Sequence, residues 1–118
     1  MNYRRATALS GKQAACRREV AEELGLDRPA GRVLAVDWVS SRPERPEGLI
    51  MVYDGGVLTL SDVKAIVVLA GELAGFWFVP PGQVAAMVTP LVARRIAASL
   101  DAVAAGTVAS LENGHPAG

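Results

Sequence analysis

Arg18-Glu19-Val20-Ala21-Glu22-Glu23-Leu24-Gly25-Leu26 is the stretch on which the reading of this chain turns. Successive residues of an α-helix are rotated by about 100°. Glu19, Glu22 and Glu23 therefore share one flank of a helix, within an arc of about 100°. Like charges at i, i+3 and i+4 repel, and each pair weakens an isolated helix by a few tenths of a kcal/mol, on the order of 0.3. A divalent cation offsets that repulsion, and clustered carboxylate oxygens are the donors a hard cation takes. Cys16, Val20 and Leu24 recur at i, i+4 and i+8 on a separate stripe, which anchors the helix while the neighbouring flank presents acids. Solvated glutamate faces with arginine partners have the same spacing, and Arg17 and Arg18 are at hand for that.

Working outward, Ser10 and Gln13 have capping-box spacing and Gly25 suits a terminating position. The helix is thus expected from about Gly11 to Leu24, preceded by a loose arm over residues 1–9. Val33–Val39 and Leu49–Tyr53 read as strands, the second closed by Asp54-Gly55-Gly56. Between them Arg-Pro-Glu occurs twice, at 42–44 and 45–47, and the two prolines make a loop. Ala65–Leu69 and Phe76–Val79 are further short apolar runs, expected as strands. Pro80 and Pro81 open a helical turn over Gln83–Met87. A long helix follows, with Thr89 as its cap, Pro90 in its first turn and Gly106 past its end. Its expected inward stripe is Val92, Ile96, Leu100 and Val103. Residues 107–118 read as a frayed tail with a short strand at Val108–Leu111.

Composition narrows the function classes. The chain has 118 residues, enough for one domain, here bounded at 10–106. Twelve basic and twelve acidic side chains leave no net charge, which argues against nucleic acid as a partner. Cys16 is the only cysteine, which excludes an internal disulfide and a cysteine-ligated zinc site, and the only histidine, His115, falls in the tail, which argues against a histidine-ligated metal or a Ser-His-Asp triad inside the fold. A metal here has to be held by carboxylates, which points to Mg²⁺ or Mn²⁺. No apolar run approaches the roughly 20 residues of a membrane span. A cytoplasmic protein is expected.

The quoted stretch resembles the second half of the Nudix box, G-x5-E-x7-R-E-U-x-E-E-x-G-U, with U a bulky aliphatic residue. Every specified position from the arginine onward is met, by Arg18, Glu19, Val20, Glu22, Glu23, Gly25 and Leu26. The resemblance extends more loosely over residues 12–106, where strands, the aromatic Phe76-Trp77-Phe78 segment, a proline-led turn and a closing helix follow in the family's order. It implies an α/β fold, a Nudix-like α/β/α sandwich with a mixed sheet. It also implies an enzyme that cleaves the pyrophosphate of a nucleoside diphosphate linked to another moiety. Glu19, Glu22 and Glu23 would be metal ligands, with Glu22 ligating directly or positioning a bound water. Arg18 would hold a glutamate by an ion pair, and the bound Mg²⁺ or Mn²⁺ would activate water.

The first half of the box departs from the pattern. Its glutamate position falls on Ser10 and its glycine position on Arg4. The resemblance then implies an N-terminally truncated domain, lacking strands beside 33–39 and 49–53. An open sheet edge should result, covered in a homodimer. The alternative function is a catalytically degenerate Nudix-fold module that binds a ligand or a partner. Glu72, Asp54 and Asp62 are candidates for a further loop carboxylate. Arg42 and Arg45 are candidates for contacting a substrate phosphate or ribose, and Trp38 and Trp77 for stacking on a base.

Overall fold

The computed structural model describes residues 2–6, 12–66 and 78–117. Along the chain it has β1 (Asn2–Ala6), α1 (Lys12–Leu24), β2 (Val33–Val39), β3 (Gly48–Tyr53), α2 (Leu60–Ala65), a 3₁₀ turn (Pro81–Ala86), α3 (Pro90–Ala105), β4 (Ala109–Glu112) and β5 (His115–Pro116). The strands form one sheet in the order β1-β3-β2-β4-β5. β3 is antiparallel to both β1 and β2, β4 runs parallel to β2, and β5 returns antiparallel to β4. The α/β class and the mixed sheet expected from the sequence are both present.

Local chemistry sets most element ends. α1 stops where Gly25 takes a left-handed φ of 67° and its N–H donates to the Ala21 carbonyl at 2.9 Å, as a glycine past a helix end does. Gln13 donates to the Gly31 carbonyl at 2.7 Å, and Arg17 forks onto Asp27 at 2.6 and 3.2 Å. Those bonds tie α1 to the segment leading into β2. In α3, the Thr89 hydroxyl accepts from Val92 N–H at 3.4 Å, Pro90 occupies the first turn and Gly106 caps the end at φ 68°. Arg32 reaches the other end, donating to the carbonyls of Ala102 and Thr107 at 2.7 and 2.6 Å. A cation there suits the negative end of the helix dipole.

The core lies between α3 and the middle of the sheet. Leu34, Ala35, Val52, Ala102 and Leu111 are buried together, with Ala98 and Ala109 packed against them. The β2–β3 register shifts between Val33 and Ala35. This irregularity puts adjacent Leu34 and Ala35 into the same cluster, where strict alternation would separate them.

Several expectations are corrected. The arm at residues 1–9 contains β1, which pairs with β3. The tail at 107–118 is not frayed over its described length: the strand expected at Val108–Leu111 is β4, inserted in the sheet next to β2, and β5 follows it. β2 and β3 consequently have neighbours on both sides, so the open interior edge that motivated a homodimer is absent. Ala65 ends a helix, and Phe78 and Val79 belong to no strand; Val67–Leu69, Phe76 and Trp77 lie outside the described residues, as do Ser10, Gly11 and Glu72.

The inward face of α3 is also different. Arg95, Ser99 and Ala102 are buried, while Leu100 and Val103 are 36% and 45% exposed. The reason is a buried carboxylate. Asp37 on β2 is fully buried, and burying it without a counter-charge would be prohibitive. Arg95 must face it, and Ser99 and Ala102 follow at i+4 and i+7 as small residues that let the helix lie close.

Candidate functional site

The acidic flank of α1 is the first candidate. Arg18 and Glu22 are exposed, and Glu19 and Glu23 are half-buried. Arg18 Nε lies 3.8 Å from a Glu22 carboxylate oxygen, a loose i,i+4 pair in solvent. Cys16, at the head of the expected apolar stripe, is completely buried, and Val20 and Leu24 are partly so. Among the described residues no three carboxylate, imidazole or thiol groups converge as a metal cage. Of the candidates for a further loop carboxylate, Asp54 and Asp62 lie among the described residues, and Asp54 accepts from Gly56 N–H at 2.8 Å. Asp62 closes a capping box with Thr59 at the start of α2 and accepts from Arg28 at 3.3 Å. The two Thr59 bonds hold the Asp62 carboxyl below its ordinary pKa of 3.8. Both acids serve local turns rather than the α1 flank. Trp38 is 37% exposed and donates to Glu47 at 3.2 Å, so it stands at the surface of the sheet.

A second cluster forms at the opposite end of β2. Arg95 Nε donates to Asp37 Oδ2 at 2.8 Å, and the other carboxylate oxygen accepts from Gly114 N–H at 3.0 Å. Gly114 belongs to the Asn113-Gly114 turn between β4 and β5, where both residues have positive φ, 48° and 77°. Two central residues with positive φ make the hairpin turn whose twist matches the strands. Asn113 is a junction. Its N–H donates to the Trp38 carbonyl at 2.8 Å, and its side-chain oxygen accepts from Ser40 N–H and hydroxyl at 3.1 and 3.3 Å. Its carbonyl accepts from Arg94 at 2.9 Å. The C-terminal turn thus locks the end of β2 to the first turns of α3.

Beside this junction is an open cleft of about 710 Å³. Among the described residues four arginines line it, Arg42, Arg45, Arg94 and Arg95, and no carboxylate does. Arg42 and Arg45 are brought together by the loop between β2 and β3. Each donates its N–H to the other's carbonyl, at 2.8 and 3.0 Å. Pro43 takes the second position of that tight turn, where its fixed φ is favoured. The first Arg-Pro-Glu, with the arginine that follows it, thus forms a tight turn that sets two arginines opposite each other on the wall of the cleft. Ile50, Leu91 and Val92 supply an apolar wall. Glu19, Glu22 and Glu23 are not part of the lining.

The sequence reading singled out Arg42 and Arg45 but not their partners. Asp37 sits within an apolar strand pattern and Arg94-Arg95 within a helix, and no spacing links them across 58 positions. One signal was available, since Asn-Gly is the strongest short hairpin signature and marks the turn at 113–114. No family model, curated protein or solved structure matches the chain.

Proposed function

We propose that the chain is a Nudix-type hydrolase, dependent on Mg²⁺ or Mn²⁺, acting on the pyrophosphate of a nucleoside diphosphate joined to another moiety. The observation that carries this reading is the second half of the box, Arg18 to Leu26, lying on the last turns of one helix. The required glycine stands at the left-handed position that ends it. Glycine meets no steric penalty there, whereas other residues do.

The donor chemistry of Glu19, Glu22 and Glu23 fits a hard divalent ion. Mg²⁺ commonly takes only one or two carboxylates and completes its shell with water and substrate phosphates, so an all-protein cage is not required. When bound, the ion supplies neutralisation of phosphate charge and a more acidic water. The residues' own part is to hold oxygens on a rigid helix, with Arg18 restraining Glu22. No helix among the described residues is long and apolar enough to cross a membrane. A homodimer, the partner expected from the sequence, remains part of the proposal and is tested by size-exclusion chromatography with light scattering.

The test is turnover by the purified protein with Mg²⁺ or Mn²⁺ on ADP-ribose, NADH, dinucleoside polyphosphates and deoxynucleoside triphosphates. Glu23→Gln should remove at least a hundredfold of the rate. Turnover that this substitution leaves intact would reject the assigned site.

A second reading, a non-hydrolysing Nudix-fold module, is favoured by one observation. Arg4, at the glycine position of the first half-box, stands in β1 in register with Met51, so a strand occupies the place of a phosphate-approaching loop. Complete absence of turnover, with the protein folded, supports this reading.

A further inference from the structure

We propose that the cleft between the β2–β3 loop and the start of α3 is a binding site for a small phosphate-class anion, a pyrophosphate group above all, bound without a metal ion. It stands apart from the acids of α1 and does not depend on their reading. Four of the chain's ten arginines line this one cleft. Only Arg95 is matched by a buried carboxylate, Asp37. Arg45 donates to the carbonyls of Ser40 and Pro46, and Arg94 to that of Asn113. These partners carry no charge, and among the described residues the buried Arg94 Nε has no hydrogen-bond partner. Among the described residues, neither Arg42, Arg45 nor Arg94 pairs with a carboxylate.

Such a concentration of like charge on packed elements is unfavourable unless an anion offsets it. Two features tell what anion. Guanidinium forks match phosphate oxygens two at a time, and the Arg42–Arg45 backbone bridge fixes two arginines on the wall of this one cleft. The first turn of α3 adds the positive end of a 16-residue helix at the same cleft. The charge is thus arranged for an ion of two or more negative charges. The wall of Ile50, Leu91 and Val92 leaves room for an apolar or aromatic body attached to it. Every element that positions the arginines is tied down, by the Arg42–Arg45 backbone bridge, the Asn113 junction and the Asp37–Arg95 pair. Little ordering is left to do on binding, which favours affinity.

Titration calorimetry with inorganic pyrophosphate, in EDTA so that no divalent ion contributes, tests this directly. The wild-type protein should bind with a 1:1 end point. Arg42→Ala removes a side chain that makes no hydrogen bond to the described residues, so the fold should be kept, and affinity should fall at least tenfold. Arg42→Ala/Arg45→Ala should abolish binding, while Arg17→Ala, an equal loss of charge on α1, should change affinity by less than twofold. Circular dichroism of each variant separates lost binding from lost structure. Absence of pyrophosphate binding at millimolar concentration overturns the proposal. So does equal weakening by Arg17→Ala, which would mean only general charge attraction, or equal affinity for citrate, which would mean no preference for phosphate.

Discussion

The acidic flank of α1 and the junction around Asp37 are opposites in construction. The flank is built from residues close in sequence, lies at the surface, and its Arg18–Glu22 pair is 3.8 Å apart with both side chains more than half exposed. The junction is built from β2, α3 and the turn at 113–114. Its ion pair is 2.8 Å long with side chains 6% and 0% exposed, and both Asp37 oxygens have partners. The Arg18–Glu22 pair costs the fold almost nothing to keep or lose. The junction holds three elements in register, because a buried carboxylate must find its partners or the region will not close. Charged residues that look equal in sequence can thus differ wholly in energetic weight.

The largest expected effect comes from breaking the junction. Asp37→Ala leaves Arg95 buried without its counter-charge and should cost about 3–5 kcal/mol in urea denaturation. Replacing both partners, Asp37→Leu with Arg95→Met, should be far less damaging than either single change. Gly114→Ala should come next, at about 2–3 kcal/mol, combining a left-handed φ with a Cβ that would stand 2.8 Å from the Leu91 carbonyl oxygen. Gly106→Ala tests the conformational part alone, since no atom lies near its added Cβ, and should cost about 1 kcal/mol. Arg18→Ala should change stability by no more than about 0.5 kcal/mol, so any loss of turnover it causes would be chemical.

A smaller effect is expected from pH. Asp62 is held below its ordinary pKa by its bonds to Thr59, and Asp27 by Arg17. A depressed folded pKa means the stabilisation is complete above the unfolded value, near 3.8, and is lost as pH falls through the folded one. Thermal melts should therefore be flat above about pH 5 with respect to these two groups. They should decline below pH 4 less steeply in Asp62→Asn than in the wild type.

Local signals were legible, and the reasons are local. Thr89, Pro90 and Gly106 delimit α3 because caps act within one turn, and Gly25 ends α1 for the same reason. β2 and β3 were visible as apolar runs. The inward face of α3 was misread because hydrophobic periodicity assigns burial to Ile96, Leu100 and Val103. The face is instead set by a carboxylate 58 residues away. Ile96 and Leu100 line an apolar groove with Val20 and Leu24 of α1. β1 was not legible because edge pairing depends on a partner, not on apolar content; it is Asn-Tyr-Arg-Arg-Ala, whereas the short strand expected at Val108–Leu111 is present as β4.

By itself the sequence determined the helix carrying Glu19, Glu22 and Glu23, its terminating glycine, the paired strands and the capped closing helix, since each follows from interactions spanning a few residues. Only the tertiary structure decided that β1 and β5 join the sheet, that Arg95 turns inward, and that four arginines meet at one cleft. Those outcomes depend on satisfying buried charge and backbone hydrogen bonds between distant segments, which no local pattern records.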